Sequence, residues 1–342
     1  MSRSSPQFLE RKGIGMRILA LLFFTLLPSF AFIANPDTET PLQVVSRQNA
    51  KLIGVEVGRT RCDAAGNLYS NISDNAIPPS YVLTEFSRNG AVLKQLDPSS
   101  VIPGFTQTAL SVLPDGAIFV VGTTQFPHIG VYVIGFSTQG LLASKVELQT
   151  TPFGPTQFVA FPTGELLVSG VRKTKPVTQL FNADGSLLKD IYEPEDEGFY
   201  QRAEAGELKD TQLGGGNTAV WRGDAVLGSD GNAYLLRSAS PALIYVISHS
   251  GVVLDKLKLE SPYPGLAPRS IKAAPGKLAV SFLKEGMTLG LIKIITTAGK
   301  EVALYSSDTP GAYPGLPGCY NGSSFVFLSR PEDKELVITT AK

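Results

Sequence analysis

The chain has 342 residues, with 30 Lys and Arg residues against 30 Asp and Glu residues, and hydrophobic residues make up 43% of it. This balance excludes an intrinsically disordered chain, which would be poor in apolar residues and rich in net charge. It also argues against a nucleic-acid partner, because there is no excess of basic residues to contact phosphates. The 34 Gly and 24 Pro residues favour many short strands joined by turns over long helices.

The N-terminal residues follow the pattern of a secretory signal peptide. Basic residues precede an apolar run at residues 18–34, and Ser29 and Ala31 provide small side chains at a cleavage site. We therefore expect residues 1–31 to be removed, residues 32–41 to form a short linker, and the mature protein to be periplasmic or extracellular without a membrane span. The alternative is an uncleaved segment that tethers the protein to a membrane. This run of 17 residues contains Pro28, and it is short for a span of ~30 Å.

An internal repeat organises residues 42–342. Each copy has four short apolar strands, and Gly turns join the first strand to the second and the third strand to the fourth. The first turns contain Gly66, Gly116, Gly164, Gly231, Gly276 and Gly322. The second turns contain Gly90, Gly140, Gly185, Gly251 and Gly299. Four strands in a recurring unit are typical of a β-propeller blade, which must stack on its neighbours to bury both faces.

The motifs CDAAGNLYS, LPDGAIFVVG and GSDGNAYLL resemble the repeats of six-bladed β-propellers of the NHL-like kind. This resemblance covers about residues 42–342 as a single domain, and it implies an all-β fold of six four-stranded antiparallel blades. The sixth copy contains three strand-like runs before residue 342. We therefore expect the strand region at residues 42–57 to join the last blade as its outer strand and to close the ring.

The innermost strand of each blade is expected to be the first strand of the repeat. The Gly turns then lie on one face of the ring, the turn face, and the remaining loops lie on the opposite face, the loop face. We predict ligand binding on the loop face, around the axial channel. The candidate ligand-binding residues are Arg61, Gln107, His128, Gln157, Trp221, Arg222 and Arg269.

Guanidinium groups in such a mouth could bind a carboxylate or phosphate. Alternatively, the arginines pair with Glu56, Asp63 or Asp224 at the strand ends. An acidic insertion at about residues 190–224, which contains Trp221, is either a lid over the channel or a solvated loop. Aromatic connectors could stack on sugars or clamp a peptide, or else wedge between blades; these are Phe105, Phe153, Tyr263 and Tyr313.

The two cysteines lie at nearly equivalent positions of the first and last inner strands. Cys62 precedes Gly66 and Cys319 precedes Gly322. Because ring closure makes these blades neighbours, the two residues are candidates for a disulfide in an oxidising compartment. The alternative is a pair of buried free thiols.

The sequence contains no GxSxG, HExxH or CxxC motif, so the common nucleophile and zinc signatures are missing. We therefore interpret the chain as a monomeric binding or scaffold module for a protein or glycan, with no cofactor or metal. A metal-dependent hydrolase of the lactonase-like propeller type is the alternative. Such propellers hold a divalent metal near the axis with Glu, Asn and Asp. Asp63 and Asp224 could lie there, although no matching Glu and Asn stand out. A structural envelope protein without a small ligand is a third possibility.

Overall fold

The computed structural model describes residues 39–73, 81–125, 128–173, 175–205, 223–238, 241–264, 266–283, 290–306, 316–329 and 335–342. In these ranges the chain forms six β-sheets, one for each copy of the repeat. The first strands of neighbouring sheets contact one another in a complete circuit, so they surround the central axis. The chain therefore folds as the predicted all-β, six-bladed propeller.

The strands and helices follow the repeats in chain order. Two strands precede the first complete blade: β1 (Glu39–Pro41) and β2 (Val44–Ile53). Blade 1 contains β3 (Val55–Cys62), β4 (Leu68–Ser73), β5 (Tyr81–Phe86) and β6 (Val92–Leu96). The short helix α1 (Pro98–Val101) leads to blade 2, which contains β7 (Thr106–Val112), β8 (Ile118–Thr123), β9 (Val131–Phe136) and β10 (Leu142–Glu147). Blade 3 contains β11 (Gly154–Ala160), β12 (Leu166–Arg172), β13 (Lys175–Phe181) and β14 (Leu187–Asp190).

The helix α2 (Pro194–Glu204) belongs to the insertion and precedes blade 4. Blade 4 contains β15 (Gly223–Leu227), β16 (Ala233–Arg237), β17 (Ala242–Ile247) and β18 (Val253–Leu259). Blade 5 contains β19 (Ala267–Ala274), β20 (Lys277–Leu283), β21 (Gly290–Thr296) and β22 (Glu301–Ser306). Blade 6 contains β23 (Cys319–Tyr320), β24 (Phe325–Ser329) and β25 (Glu335–Ala341).

The N-terminal strands close the ring. β2 pairs antiparallel with β25, with Arg47 opposite Thr339, and so forms the outer strand of blade 6 as predicted. The predicted strand region at residues 42–57 extended too far, because β3 of blade 1 already begins at Val55. β1 adds a fifth strand to blade 5 by pairing in parallel with β22, which the repeat did not predict.

All eleven predicted turn glycines adopt positive φ angles, between 68° and 107°. Side-chain-bearing residues rarely adopt this conformation, so Gly permits the tight hairpins. Gly185 has a second role, because a methyl group there would overlap the carbonyl oxygen of Glu147 in blade 2. The carbonyl of Gly185 also accepts a 2.8 Å hydrogen bond from the backbone N–H of Gln149. The absence of a side chain thus lets the turn of blade 3 approach the end of blade 2.

The core consists of clusters between adjacent blades. One cluster joins Leu328 and Ile338 of blade 6 to Leu68 and Phe86 of blade 1, so apolar packing is continuous across the closure. Aromatic connectors contribute to two other clusters. Phe105 packs between blades 1 and 2, and Phe153 packs between blades 2 and 3. These two rings wedge between blades, whereas Tyr263 is exposed and Tyr313 lies outside the described residues.

Candidate functional site

A cavity of about 550 Å³ lies at the centre of the ring. Its walls include the C-terminal ends of β3, β7, β15, β19 and β23 and the residues that follow them. Examples are Asp63, Pro114, Gly228, Pro275 and Asn321, each of which lies in or beside a first Gly turn. The cavity is therefore on the turn face of the propeller.

We predicted ligand binding on the opposite, loop face. Several segments that the sequence assigns to that face lie outside the described residues, namely 74–80, 206–222, 284–289, 307–315 and 330–334. Trp221 and Arg222 belong to these segments. A site on the loop face therefore stays a prediction, and the geometry described below concerns the turn face.

The floor of the cavity is a buried ion cluster. The carboxylate of Asp224 on β15 accepts a hydrogen bond from the guanidinium of Arg61 on β3. Arg59 Nε lies 3.4 Å and Lys272 Nζ lies 3.7 Å from the same carboxylate. Blades 1 and 4 stand opposite each other in a six-bladed ring, so the ion pair between Arg61 and Asp224 crosses the central axis. The pairing of an arginine with Asp224, which the sequence left open, is present.

Backbone groups hold this cluster in place. The N–H of Ile271 donates to Asp224 Oδ2 at 3.1 Å. Arg61 Nη2 donates to the carbonyl oxygen of Ala225 at 3.1 Å, and Lys272 Nζ donates to a carbonyl oxygen of β3 at 2.9 Å. The cationic groups at the cavity floor are thus fixed by contacts from blades 1, 4 and 5.

The charge of Asp224 is secured by its surroundings. Burial raises the pKa of this carboxyl, but the positive charges of Arg61, Arg59 and Lys272 and the N–H of Ile271 outweigh that effect. Together they lower the pKa from 3.8 to about 2. At neutral pH the carboxylate is therefore ionised, and it acts as the counter-ion that holds the cations at the axis.

Positive charge predominates on the cavity wall. Among the described residues that line it, Arg61, Arg88 and Lys272 are cationic and Asp63 is anionic. The Asp63 carboxylate accepts hydrogen bonds from the backbone N–H of Asn67 at 2.8 Å and from its side-chain amide at 2.9 Å. These hydrogen bonds hold the Asp63 carboxylate within the first turn of blade 1.

The predicted disulfide between Cys62 and Cys319 is present, and both residues line the cavity. Their Cα atoms are 5.7 Å apart, within the range that a disulfide requires. The bond joins the inner strand of blade 1 to that of blade 6. The two blades are also connected by the N-terminal part of the chain, because β2 pairs with β25 in blade 6 and then leads into β3 of blade 1.

Gln157, another candidate ligand-binding residue, belongs to a buried network between blades 3 and 4. Its side-chain amide donates to the carbonyl oxygen of Leu236 at 2.7 Å and accepts from Arg237 Nη1 at 2.5 Å. Arg237 also binds the carboxylate of Asp196 on α2 at 2.8 Å, and the hydroxyl of Tyr245 donates to the same carboxylate. The described part of the insertion is therefore anchored by its helix to a buried arginine of blade 4.

The remaining candidates are dispersed. His128 is exposed, and its Nε2 lies 2.8 Å from Glu147 Oε1. Gln107 is half-buried on β7 opposite Gly122. Arg269 is half-buried where the register between β19 and β20 shifts. Of the candidate ligand-binding residues that the structure describes, Arg61 is the one that lines the cavity.

Sequence reasoning missed Lys272, which completes the ion cluster and lines the cavity. A sign was available, because Lys272 lies between Ile271 and Ala273 on an inner strand, two residues before the strand ends. A buried lysine requires an anionic or polar partner. The sequence could not show that this partner comes from the carboxylate of blade 4 and a carbonyl group of blade 1.

No group of three or more His, Cys, Asp or Glu side chains that could hold a metal ion occurs among the described residues. The two carboxylates that the sequence placed near the axis are occupied by protein donors: Asp224 by cations and Asp63 by Asn67. A helix long and apolar enough to cross a membrane is likewise absent from the described part of the chain.

Comparison with known proteins identifies the fold. No family model matches the chain, and no curated protein matches it significantly. A streptogramin B lyase structure matches with a TM-score of 0.53 at 15% identity, over 87% of this chain and 96% of that chain. Virginiamycin B lyase from Staphylococcus aureus matches with a TM-score of 0.51 at 12% identity, over 88% and 99%. At these identities the likeness shows the propeller fold alone.

Proposed function

We propose that this chain is an exported β-propeller that acts as a binding module, with its ligand in the axial cavity of the turn face. The observation that carries the proposal is the floor of this cavity. The ion pair between Arg61 and Asp224 crosses the axis, so the channel beneath the turns becomes a pocket. Its volume of about 550 Å³ is within the range of small-molecule and cofactor sites.

The polar groups around the cavity favour binding over catalysis. Asp63 is held by Asn67, and the two cysteines are joined in a disulfide. Arg61 is held by Asp224, whose low pKa keeps it from exchanging a proton near neutral pH. These groups present fixed charge and shape, which is what recognition of a ligand requires. The ligand would be a glycan fragment, a protein segment or a small organic molecule.

Two features support export. The N-terminal residues follow the pattern of a signal peptide, and the disulfide joins two strands in the way common among proteins of oxidising compartments. Fractionation of cells that produce the full chain, with N-terminal sequencing of the exported protein, tests this. A protein that retains residues 1–31 and stays in the cytoplasm would contradict it.

A pair of adjacent turn residues provides the test of binding. Ala64 lines the cavity, whereas its neighbour Ala65 is exposed in the same turn and does not line it. We expect Ala64→Trp to obstruct the cavity and Ala65→Trp to leave it open, with similar stability in both variants. Native mass spectrometry with a library of oligosaccharides, short peptides and organic acids would measure the difference.

At least one compound should bind the wild-type protein and the Ala65→Trp variant. Its affinity for the Ala64→Trp variant should be lower by about tenfold or more. Equal binding to the two variants would place the site elsewhere. A library from which nothing binds the wild-type protein would contradict a binding function for the cavity.

A further inference from the structure

We propose that the ligand of the axial cavity is a small organic anion that carries a carboxylate or phosphate group and is recognised by three cationic side chains, Arg61 and Lys272 at the floor and Arg88 at the mouth. This inference rests on the proposed binding function and adds the chemical class of the ligand. The three cationic side chains belong to blades 1 and 5, and all three line the same cavity. Guanidinium and ammonium groups form their strongest hydrogen bonds with oxyanions.

Two of the three cationic groups are held in place without a ligand. Arg61 is bound to Asp224 and to the carbonyl oxygen of Ala225, and Lys272 Nζ donates to the carbonyl oxygen of Thr60. Both side chains are buried, at 7% and 4% exposure. Ordering long side chains on binding lowers the affinity, and this entropic cost is avoided when the protein has already ordered them.

The balance of charge favours an anion. Among the described lining residues, three cations face a single carboxylate, that of Asp63. Arg61 and Lys272 also belong to the described ion cluster, in which they and Arg59 surround the one carboxylate of Asp224, so this carboxylate does not cancel the positive charge. Cations removed from water gain most from an oxyanion, because a neutral ligand leaves part of their desolvation uncompensated.

The apolar part of the cavity wall favours a ligand that has an organic moiety attached to its anionic group. Its wall includes Val112, Val226, Leu227 and Ala273, which offer apolar contacts. A volume of about 550 Å³ is within the range of sites that bind small organic ligands. An inorganic phosphate ion would leave most of this space unfilled. A ring-sized or sugar-sized body that carries the anionic group would fill more of it.

Matched pairs of probes test this chemistry by isothermal titration calorimetry. For the carboxylate, the affinity of galacturonate is compared with that of galactose, and the affinity of phenylacetate with that of phenylacetamide. For the phosphate, the affinity of glucose 6-phosphate is compared with that of glucose. The pairs therefore distinguish recognition of a carboxylate from recognition of a phosphate. We expect the anion of at least one pair to bind about tenfold or more tightly than its neutral partner.

Arg88 offers the variant that leaves the core intact, because it is exposed and its guanidinium lies over Gly66 in the turn. Arg88→Gln should weaken binding of the anion about three- to tenfold, and Lys272→Met should weaken it at least as much. Lys300→Gln is the matched control, since this exposed lysine occupies a second turn away from the cavity. It should leave the affinity unchanged.

The outcomes separate this inference from the proposed function. If neutral compounds bind as well as their anionic partners and Ala64→Trp abolishes both, the cavity binds ligands and the anionic class is wrong. If the anions bind but Arg88→Gln and Lys272→Met have no more effect than Lys300→Gln, the assignment to these cations is wrong. If no anion binds, the inference fails, whereas the proposed function fails only if neutral compounds do not bind either.

Discussion

Reduction of the bond between Cys62 and Cys319 should destabilise the propeller strongly. The bond joins residues separated by 257 positions, so it constrains nearly the whole unfolded ring. The chain-entropy relation gives about 5 kcal/mol for a closed loop of this length, as an upper figure. A typical domain is stable by about 5–15 kcal/mol, so a loss of this size would be a large fraction of the total.

The pairing of β2 with β25 closes the same ring, but it does not reduce this effect. Strand pairing exists in the folded state, whereas the entropic contribution of a disulfide acts on the unfolded state. The reduced unfolded chain also exposes more surface, so the slope of the unfolding free energy against urea concentration should increase.

Urea unfolding followed by circular dichroism, with and without a phosphine reductant, measures the difference. The Cys62→Ala/Cys319→Ala variant is the control, because it should resemble the reduced wild-type protein and should not respond to the reductant. If the oxidised and reduced proteins unfold at the same urea concentration, the ring is not constrained by this bond in the way its position implies.

Two further predictions concern the turns and the ion cluster. Gly185→Ala should destabilise the protein more than Gly231→Ala does, as measured by urea unfolding. Both substitutions place a side chain at positive φ, at a cost of roughly 1–2 kcal/mol. At Gly185 the added methyl group would also overlap the carbonyl oxygen of Glu147, whereas at Gly231 it would meet no atom within 4 Å. Equal losses would show that the approach between blades does not require glycine. The lowered pKa of Asp224 stabilises the fold by about 2 kcal/mol above pH ~4, and this contribution is lost as the pH falls through about 2. The stability of Asp224→Asn, measured by thermal unfolding, should be lower near neutral pH and should depend less on pH between about 4 and 2. An unchanged acid dependence would assign it to other carboxyl groups.

The fold was predictable because its signals are local. Each Gly turn and its flanking strands can be read within about ten residues, and the interval between copies then indicates the number of blades. The disulfide could also be predicted from the spacing of the repeats, since Cys62 and Cys319 occupy corresponding positions in two blades that ring closure makes neighbours. β1 could not be predicted in this way. It has three residues that carry no alternation of apolar and polar side chains, and its parallel pairing with β22 depends on the finished ring.

The site was less predictable because its residues are assembled across the axis. Arg61 and Asp224 are separated by 163 positions and come from opposite blades. Register shifts within the inner strands, such as the one between Val57 and Arg61, also change which side chains point towards the channel. Simple alternation along a strand therefore cannot assign the residues of the axis. The equivalent positions of the repeats predicted Gln157 at the mouth of the loop face, and in the structure this side chain is buried against Arg237.

The same contacts that close the channel also stabilise the ring, and this determines which variants can report on function. Removal of Asp224 would leave buried cations without their counter-ion, and removal of Arg61 would take away the shortest ion pair of Asp224. Breaking a buried ion pair costs about 3–5 kcal/mol, so a loss of binding in either variant would not be separable from a loss of structure. Ala64 and Arg88 lie in turns at the mouth of the cavity and are exposed. Changes at these two positions alter access and charge while the ion cluster, the disulfide and the clusters between blades stay intact. The binding proposals are therefore tested first at the mouth of the cavity. At its floor, Lys272→Met is the usable change, because it leaves Arg61 paired with Asp224.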